Sequence, residues 1–470
     1  MRISSLTGWY FISSICLALI GLLALPLFTT HLGPEEFGRF FILSALSSGI
    51  ASMACSVCVL SMSEKLTLFD SEDRLYYIGA VLVVGGSFSL VTCMVVFITF
   101  RVVSQAYGHE LLDKTAIFLT FFAALFSSFW AICVQILNIE GRAKAFAITN
   151  IAQAVVNVIV VCIALFEFNE LKNALLWGLF SSGCVGAIGA FVSLYNRFQI
   201  GNLRRWMPIA FRGGFASVLS SLMENGKNFV ERSYLGATIG VYQLGLFAHG
   251  QYYKNSSMAL VNAVSLGLVP ISMSEAKELN PKFRITLQLW MPMQIILASI
   301  CLVFALIGRE VVGFLTNSKF VEATPYVLAM MLSLLFQTMA KPHSVLMLVR
   351  GKGSLYANIN TGCIVFALVW LFASVPFIGV WGAISAYAIQ VLLLRAALYW
   401  AANRIHYLPF TDQWVIVGFI CSVMCISVDY LLELSFIFRV TALFLICLVF
   451  FLKFRTKFRY LLNELLLFVK

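Results

Sequence analysis

Residues 9–28 read WYFISSICLALIGLLALPLF, an apolar stretch that contains no charged side chain. A helix rises 1.5 Å per residue, so about 20 residues are enough to cross the roughly 30 Å of hydrocarbon in a bilayer. Only Arg2 precedes the stretch as a charged residue, and no clear small-residue cleavage site follows it. A cleavable signal peptide usually has a shorter apolar region and such a site. The stretch therefore predicts a first transmembrane helix that is retained.

The remainder of the chain has the same character. Of its 470 residues, 61% are hydrophobic and 11% are charged, whereas a soluble domain has about 25% charged residues. The sequence predicts an all-α polytopic membrane protein, with fourteen spans, or twelve if the last two apolar runs lie at the membrane interface. The predicted spans are 8–30, 40–62, 78–100, 115–138, 147–166, 174–194, 213–233, 241–270, 285–307, 326–348, 358–375, 382–401, 414–431 and 436–452.

Lysine and arginine are distributed unequally between the two sets of alternate loops. One set holds most of them, and the opposite set holds only Arg39, Arg101, Lys114, Lys172, Arg309 and Lys319. Because cytoplasmic loops are enriched in Lys and Arg, both termini are predicted to be cytoplasmic. The net charge of +11 then reflects topology and contact with anionic membrane lipids. Nucleic-acid binding is not expected, since it requires a basic patch on a soluble fold.

The cysteines and the absent motifs argue against an enzyme. All twelve cysteines lie in apolar segments, where Cys behaves as a small hydrophobic residue. Cys55 and Cys58 form a CxxC inside a span without a second pair, which is a weak metal or redox signal. The sequence has no GxxxxGK[ST], HExxH or GxSxG motif. No cofactor, no metal and no catalytic residue are expected.

Two turn segments share one pattern. Residues 32–40 (LGPEEFGRF) and 239–247 (IGVYQLGLF) both place glycine second and seventh and phenylalanine ninth. Glycine suits such turns because it tolerates positive φ and close helix approach. An offset of six spans preserves orientation, which predicts parallel repeats around a central cavity. The predicted domains are a six-helix lobe at 1–200, a second at 201–405, two further spans at 406–452 and a basic amphipathic cytoplasmic tail at 453–470.

Several stretches, in order through most of the chain, resemble Wzx-type polysaccharide flippases, whose superfamily includes lipid II flippases and MATE exporters. They are LPL at 25–27 leading into 31–40, then 239–247, RGK at 350–352 and IGVWGA at 378–383. The resemblance implies a two-lobed flippase that moves undecaprenyl-diphosphate-linked oligosaccharides, destined for O-antigen, capsule or exopolysaccharide, to the outer leaflet of the bacterial inner membrane. Polysaccharide polymerase machinery is an expected partner.

Charges inside predicted spans mark candidate functional residues, because charges are costly in lipid. In span seven, Glu224, Lys227 and Glu231 share one helical face. They form either a neutral packing pair or a wet surface where a carboxylate exchanges a proton or binds sodium. The second is favoured, since packing seams in lipid use small residues. Glu224 and then Glu231 are the predicted ion-coupling residues. If the span ended near Gly226, Glu231 and Arg232 would be loop charges.

The remaining candidates predict a substrate site. In span eight, His249 and Tyr253 share a face that can stack on sugar. Lys254 either contacts the diphosphate or extends its amine to a lipid headgroup. In span ten, Lys341 lies beside Pro342, which removes a helical hydrogen bond, and is followed by His343. Lys341 either contacts the phosphate or is a charge near the cytoplasmic end of the span. The predicted substrate-binding residues are Lys227, His249, Tyr253, Lys254, Lys341 and His343.

Two other functions remain open. A MATE-type exporter of drugs or cations would need a compact aromatic pocket, whereas the lysines favour an anionic substrate. A polytopic glycan polymerase is less favoured, because it would need a long loop to hold its acceptor.

Overall fold

The computed structural model describes residues 3–66, 69, 71–106, 114–211, 214–276, 284–340, 343–344, 346–347, 352–405, 413–432 and 439–441. The α-helices in these ranges are α1 (Ile3–His31), α2 (Pro34–Lys65), α3 (Ser71–Ala106), α4 (Lys114–Ile139), α5 (Ala143–Phe166), α6 (Ala174–Leu194), α7 (Leu203–Phe211), α8 (Gly214–Ile239), α9 (Val241–Ala276), α10 (Arg284–Leu315), α11 (Thr324–Met339), α12 (Gly353–Ile378), α13 (Val380–Ile405) and α14 (Gln413–Leu432). Short 3-10 helices occupy Tyr195–Arg197 and Ser318–Ala323, and no β-strand occurs within these ranges.

The helices confirm the predicted fold class. In the described part of the chain, ten helices are long and apolar enough to cross a membrane, so the chain is a multi-pass membrane protein. Helix α8 runs without a break through Gly226 to Ile239. Glu231 and Arg232 are therefore helical, and the alternative in which they are loop charges is wrong. Of the last predicted span only residues 439–441 are described, and the tail 453–470 lies outside the described residues.

The chain forms two compact units. One, here called the inserted unit, is Glu35–Tyr234, and the other, the terminal unit, comprises Met1–Pro34 and Leu235–Lys470. These units are defined by packing, whereas the predicted lobes at 1–200 and 201–405 follow a sequence repeat. The lobe boundaries stay a prediction.

An aromatic cluster closes one end of the inserted unit. The rings of Phe69, Tyr77 and Trp206 meet edge to face with centroids 5.2–6.3 Å apart. Trp206 belongs to α7, a short helix that the sequence did not reveal. It buries Trp206 and Ala210 in the core formed by α2, α3, α4 and α6. The α7 helix is thereby fixed against the first turns of α3.

In the terminal unit, α1 packs along α9, and the second repeated turn segment lies at the start of α9. Gly240 has a φ of 90°, a conformation that favours glycine, and it separates α8 from α9. A Cβ atom at Gly245 would collide with the carbonyl oxygen of Pro34. The predicted roles of glycine in these turns, positive φ and close approach, are thus both observed in the second segment.

Candidate functional site

Buried charges are the starting point, because a charge inside a membrane protein needs a compensating group. Three charged side chains at predicted site positions are nearly inaccessible: Lys227 is 7% exposed, Glu231 is 3% exposed and Lys254 is 7% exposed. The first two lie on α8 in the inserted unit. Lys254 lies on α9 in the terminal unit, so the candidate residues fall into two groups.

In the inserted unit, a polar seam joins α8 to α2. Asn225 donates a hydrogen bond from Nδ2 to Ser52 Oγ over 3.0 Å and another to the Ser221 carbonyl oxygen over 2.9 Å. Two turns further along, Arg232 donates from Nη1 to the Phe41 carbonyl oxygen at 2.8 Å. Its guanidinium carbon also lies 3.6 Å from the centroid of the Phe41 ring. These contacts fix the rotation of α8 about its own axis.

Lys227 and Glu231 form an ion pair on a different face of α8. Lys227 Nζ lies 3.6 Å from Glu231 Oε2, at the i, i+4 spacing that brings side chains together on a helix. The other carboxylate oxygen of Glu231 is buried and has no hydrogen-bond partner among the residues that the structure describes. A carboxylate with one satisfied and one unsatisfied oxygen is a suitable place for a proton or a small cation.

Glu224 has a different environment. Its side chain is exposed, and it forms no ion pair with a residue that the structure describes. The sequence allowed Lys227 to pair with either carboxylate, and the pair in the structure is the one with Glu231. The assignment of ion coupling to Glu224 or Glu231 stays a prediction.

In the terminal unit, Lys254 lies over an aromatic ring. Its Nζ atom is 4.0 Å from the centroid of the Tyr387 ring, a cation–π contact. The Tyr387 hydroxyl donates a hydrogen bond of 2.6 Å to Oε1 of Gln337. Lys254 is about 20 Å along α9 from its first residue, at 1.5 Å per residue. Helices α9, α11 and α13 therefore bring an amine, a phenol and an amide together.

His249 and Tyr253 are covered by protein. The His249 ring is fully buried, 4.7 Å from the Phe320 ring and 5.2 Å from the Tyr253 ring, centroid to centroid. Tyr253 in turn meets Phe304 edge to face at 5.7 Å. In this arrangement the rings contribute to the core of the terminal unit. Their role in stacking on sugar stays a prediction.

His343 lies just beyond α11 and is also fully buried. Its Nδ1 atom is 3.3 Å from the Met339 carbonyl oxygen, and its ring is 5.6 Å from that of Tyr399. The Arg395 guanidinium covers the same Tyr399 ring at 4.7 Å. His343 and Arg395 thus form a second basic region along α13, further from the start of the helix than Tyr387. Lys341 lies outside the described residues.

Sequence reasoning missed Tyr387 and gave Arg395 no role. Both lie on α13, eight residues apart, with Tyr399 four residues further on. That spacing keeps them on adjoining sides of one helix. The sequence feature that could have identified these residues is the occurrence of tyrosine and arginine at such intervals within an apolar span.

The cysteines support a packing role. Cys55 and Cys58 direct their thiols to the carbonyl oxygens of Ala131 and Val81, at 3.7 Å and 3.9 Å. Within the described ranges, no group of three His, Cys, Asp or Glu residues could hold a metal ion. The CxxC is therefore explained by helix packing.

The chain matches no family model and no curated protein by sequence. It is similar in structure to the eukaryotic MATE transporter AtDTX14, with a TM-score of 0.64 and 13% identity over 89% of this chain and 98% of that one. It is also similar to the lipid II flippase MurJ in an inward closed conformation, with a TM-score of 0.63 and 13% identity over 96% and 99%. A Vibrio cholerae MATE transporter, VcmN, gives 0.56 and 16% over 86% and 95%. The chain therefore has the fold that these transporters and this flippase share.

Proposed function

We propose that this chain is a flippase that moves undecaprenyl-diphosphate-linked oligosaccharide repeat units from the cytoplasmic to the outer leaflet of the bacterial inner membrane. It works by alternating access and is driven by a proton or sodium gradient. The fold supports transport, since its neighbours are named as transporters and a lipid II flippase. The substrate class rests on the chemistry of the buried residues and on the sequence resemblance.

The contact between Lys254 and Tyr387 is the observation on which the substrate depends. A lipid-linked oligosaccharide presents a diphosphate next to a sugar. A lysine ammonium group attracts phosphate oxygens, and such charge-assisted hydrogen bonds are about twice as strong as neutral ones. Tyrosine hydroxyl and glutamine amide groups donate and accept hydrogen bonds with sugar hydroxyls. Lys254, which is buried, and Tyr387 and Gln337, which are half-buried, provide these groups within one neighbourhood.

A MATE-type exporter is the second candidate, because most of the structural neighbours cited above are MATE transporters. Its favoured substrates would be cationic or neutral amphiphiles, for which Glu231 and the aromatic cluster around His249 would be the relevant groups. The sign of the charge on the substrate separates the two proposals. A polytopic glycan polymerase is a weaker alternative.

The test is to deplete the protein in its own cells and determine in which leaflet the lipid-linked repeat units accumulate. A flippase predicts accumulation in the cytoplasmic leaflet, and the purified protein in vesicles should restore access of an external glycan-binding probe to the labelled lipid. Exporter activity predicts unchanged leaflet distribution with altered efflux of a cationic dye. Loss of glycan synthesis itself, without accumulation, would support the polymerase.

A further inference from the structure

We propose that α7 and the segment leading into it form a binding surface for anionic phospholipid headgroups at one membrane boundary of the inserted unit. The surface consists of Arg197, Arg204, Met207 and Phe211, all of which are exposed. Its location, its charge and its continuity with lipid-facing residues support the proposal. It is independent of the transported substrate.

The location follows from the helices that hold α7. The preceding helix, α6, belongs to a membrane span that ends at Arg197. The backbone N–H of Gln199 donates to the Leu75 carbonyl oxygen at 3.1 Å, in the first turns of α3, whose span begins at Glu72. Trp206 is buried beside Tyr77 of the same helix. Because α7 lies between the end of one span and the beginning of another, it sits at the boundary between hydrocarbon and water.

The two faces of α7 differ strongly in character. Trp206 and Ala210 fix one face in the core. On the opposite side, Arg204 is flanked by Met207, which is 37% exposed, and Phe211, which is 48% exposed. A helix in the plane of the interface buries such apolar side chains at the acyl boundary and directs its arginine to the phosphates.

The apolar side of this surface continues along α6. Ile188, Val192 and Tyr195 follow one another at helical spacing, and each is more than 60% exposed. In a membrane span, an exposed row of this kind faces lipid chains. A lipid that lies along it would bring its headgroup to Arg197 and Arg204.

The charges favour an anionic headgroup. Arg205, the remaining arginine of α7, forms an ion pair with Asp73 at 3.7 Å. This pair neutralises the negative charge of the Asp73 carboxylate. Glu72 is exposed nearby, but Arg197 and Arg204 outnumber it. Basic residues at a membrane surface attract anionic lipid, an effect that salt screens. A soluble protein partner would not require Met207 and Phe211 to continue a lipid-facing row.

The test uses the full chain in phosphatidylcholine vesicles that contain phosphatidylglycerol. Spin-labelled phosphatidylglycerol and phosphatidylcholine report how strongly each lipid associates with the protein. We expect the parent to prefer the anionic lipid. In the double variant Arg197→Gln/Arg204→Gln, this preference for phosphatidylglycerol over phosphatidylcholine should fall by a factor of about three or more. High salt should reduce the preference of the parent to that of the variant.

Lys172→Gln is the matched control, because Lys172 is exposed at the opposite end of α6 and carries the same charge. It should retain the preference of the parent. The proposal is overturned if the double variant keeps full preference while folded, as judged by thermal unfolding, or if the control loses as much. Unchanged lipid preference together with altered oligomeric state would assign the surface to a second copy of the chain.

Discussion

Lys227 and Lys254 represent two ways of burying a positive charge. Lys227 has a carboxylate one helical turn away, at 3.6 Å. Lys254 lies against the face of the Tyr387 ring, whose negative quadrupole attracts the ammonium group. A carboxylate repels a diphosphate with a full negative charge, whereas a tyrosine has no net charge and its hydroxyl can donate a hydrogen bond. Of the two neighbourhoods, the one around Lys254 is therefore better suited to an anionic ligand.

Replacing Lys254 should impair transport without impairing folding. We expect Lys254→Ala to lower the flipping rate of a diphosphate-linked glycan in vesicles about tenfold or more, because a charge-assisted contact is worth about 1.5–3 kcal/mol. Lys254→Arg should restore part of the rate, since guanidinium keeps the charge but changes the geometry. The matched control is Lys319→Ala, at an exposed lysine of the same unit. Full activity of Lys254→Ala would favour the exporter alternative.

The ion pair on α8 makes a separate prediction about stability. Lys227→Ala leaves Glu231 buried without its partner, and breaking a buried pair in this way costs about 3–5 kcal/mol. Thermal unfolding in detergent should detect the loss. The double variant Lys227→Met/Glu231→Leu should recover most of it, because neither of these two positions then buries a charge. Glu224→Gln is the control and should unfold like the parent, since Glu224 is exposed. If Lys227→Ala and Glu224→Gln unfold at the same temperature, the prediction that the Lys227–Glu231 ion pair stabilises the fold is contradicted.

Transport measurements can show which carboxylate, that of Glu224 or that of Glu231, couples flipping to an ion gradient. If Glu224 is the coupling group, Glu224→Gln should abolish the response of flipping to an imposed pH or sodium gradient, while flipping without a gradient continues. If the group is Glu231, whose second oxygen is buried without a partner in the described part of the chain, Glu231→Gln should have this effect instead. Flipping in vesicles with and without the gradient is the measurement. A normal gradient response in both variants would place coupling elsewhere.

At the scale of elements, the turn between α8 and α9 depends on two glycines for different reasons. Gly245→Ala would place a methyl group against the Pro34 carbonyl oxygen and force Pro34 away from α9. Gly240→Ala would strain a residue with a φ of 90°. We expect each to lower the unfolding temperature in detergent. Gly362→Ala on α12 is the control, because no atom of the described residues lies within 4 Å of its added methyl group. Alanine usually stabilises a helix over glycine by about 1 kcal/mol.

These elements also show how far the sequence could predict the fold. Apolar runs of span length were enough for the long helices, because hydrophobic thickness fixes their length. The α7 helix was missed because nine residues with two adjacent arginines resemble a charged loop. Only its packing against Tyr77 shows that Trp206 is a core residue. Amphipathic character over so short a segment is a weak signal without the neighbouring helix.

The candidate site was predictable to a smaller extent. Charge within an apolar span is enough to select Lys227, Glu231 and Lys254. The partner of each depends on side-chain direction and on helices distant in sequence. Tyr387 follows Lys254 by more than a hundred residues, so its contact could not be read from local spacing. The buried environment of His249 likewise depends on Phe320, beyond the next long helix.

At the scale of the whole molecule, the packing units do not follow chain order. The first helix, α1, belongs with the second half of the sequence, and most of α8 belongs with the first half. Helices in lipid associate by close packing and interhelical hydrogen bonds, for which sequence proximity is not required. The Pro34–Gly245 contact and the Arg232–Phe41 hydrogen bond are examples of such packing. A sequence repeat and a packing unit can therefore have different boundaries.

The unequal distribution of basic residues predicts the orientation of the entire chain. Both termini should be cytoplasmic, because the lysine- and arginine-rich loops remain inside. Helix α2 allows a direct test, since Glu36 lies in its first turn and Lys65 is its last residue. Single cysteines placed at Glu36 and Lys319 should react with an impermeant thiol reagent in intact cells. Cysteines at Lys65, Arg205 and Arg459 should react only after the membrane is permeabilised.

The native cysteines do not prevent this experiment, because the parent chain under the same treatment measures their background labelling. Arg205 is the most informative position, since it lies on α7 and its side chain is exposed. Absence of labelling there in intact cells must therefore reflect the membrane, and burial in the protein cannot explain it. Labelling of Arg205 from outside, with Glu36 protected, would invert the topology. The surface formed by α7 would then face the outer leaflet, and the direction of flipping would have to be reassigned.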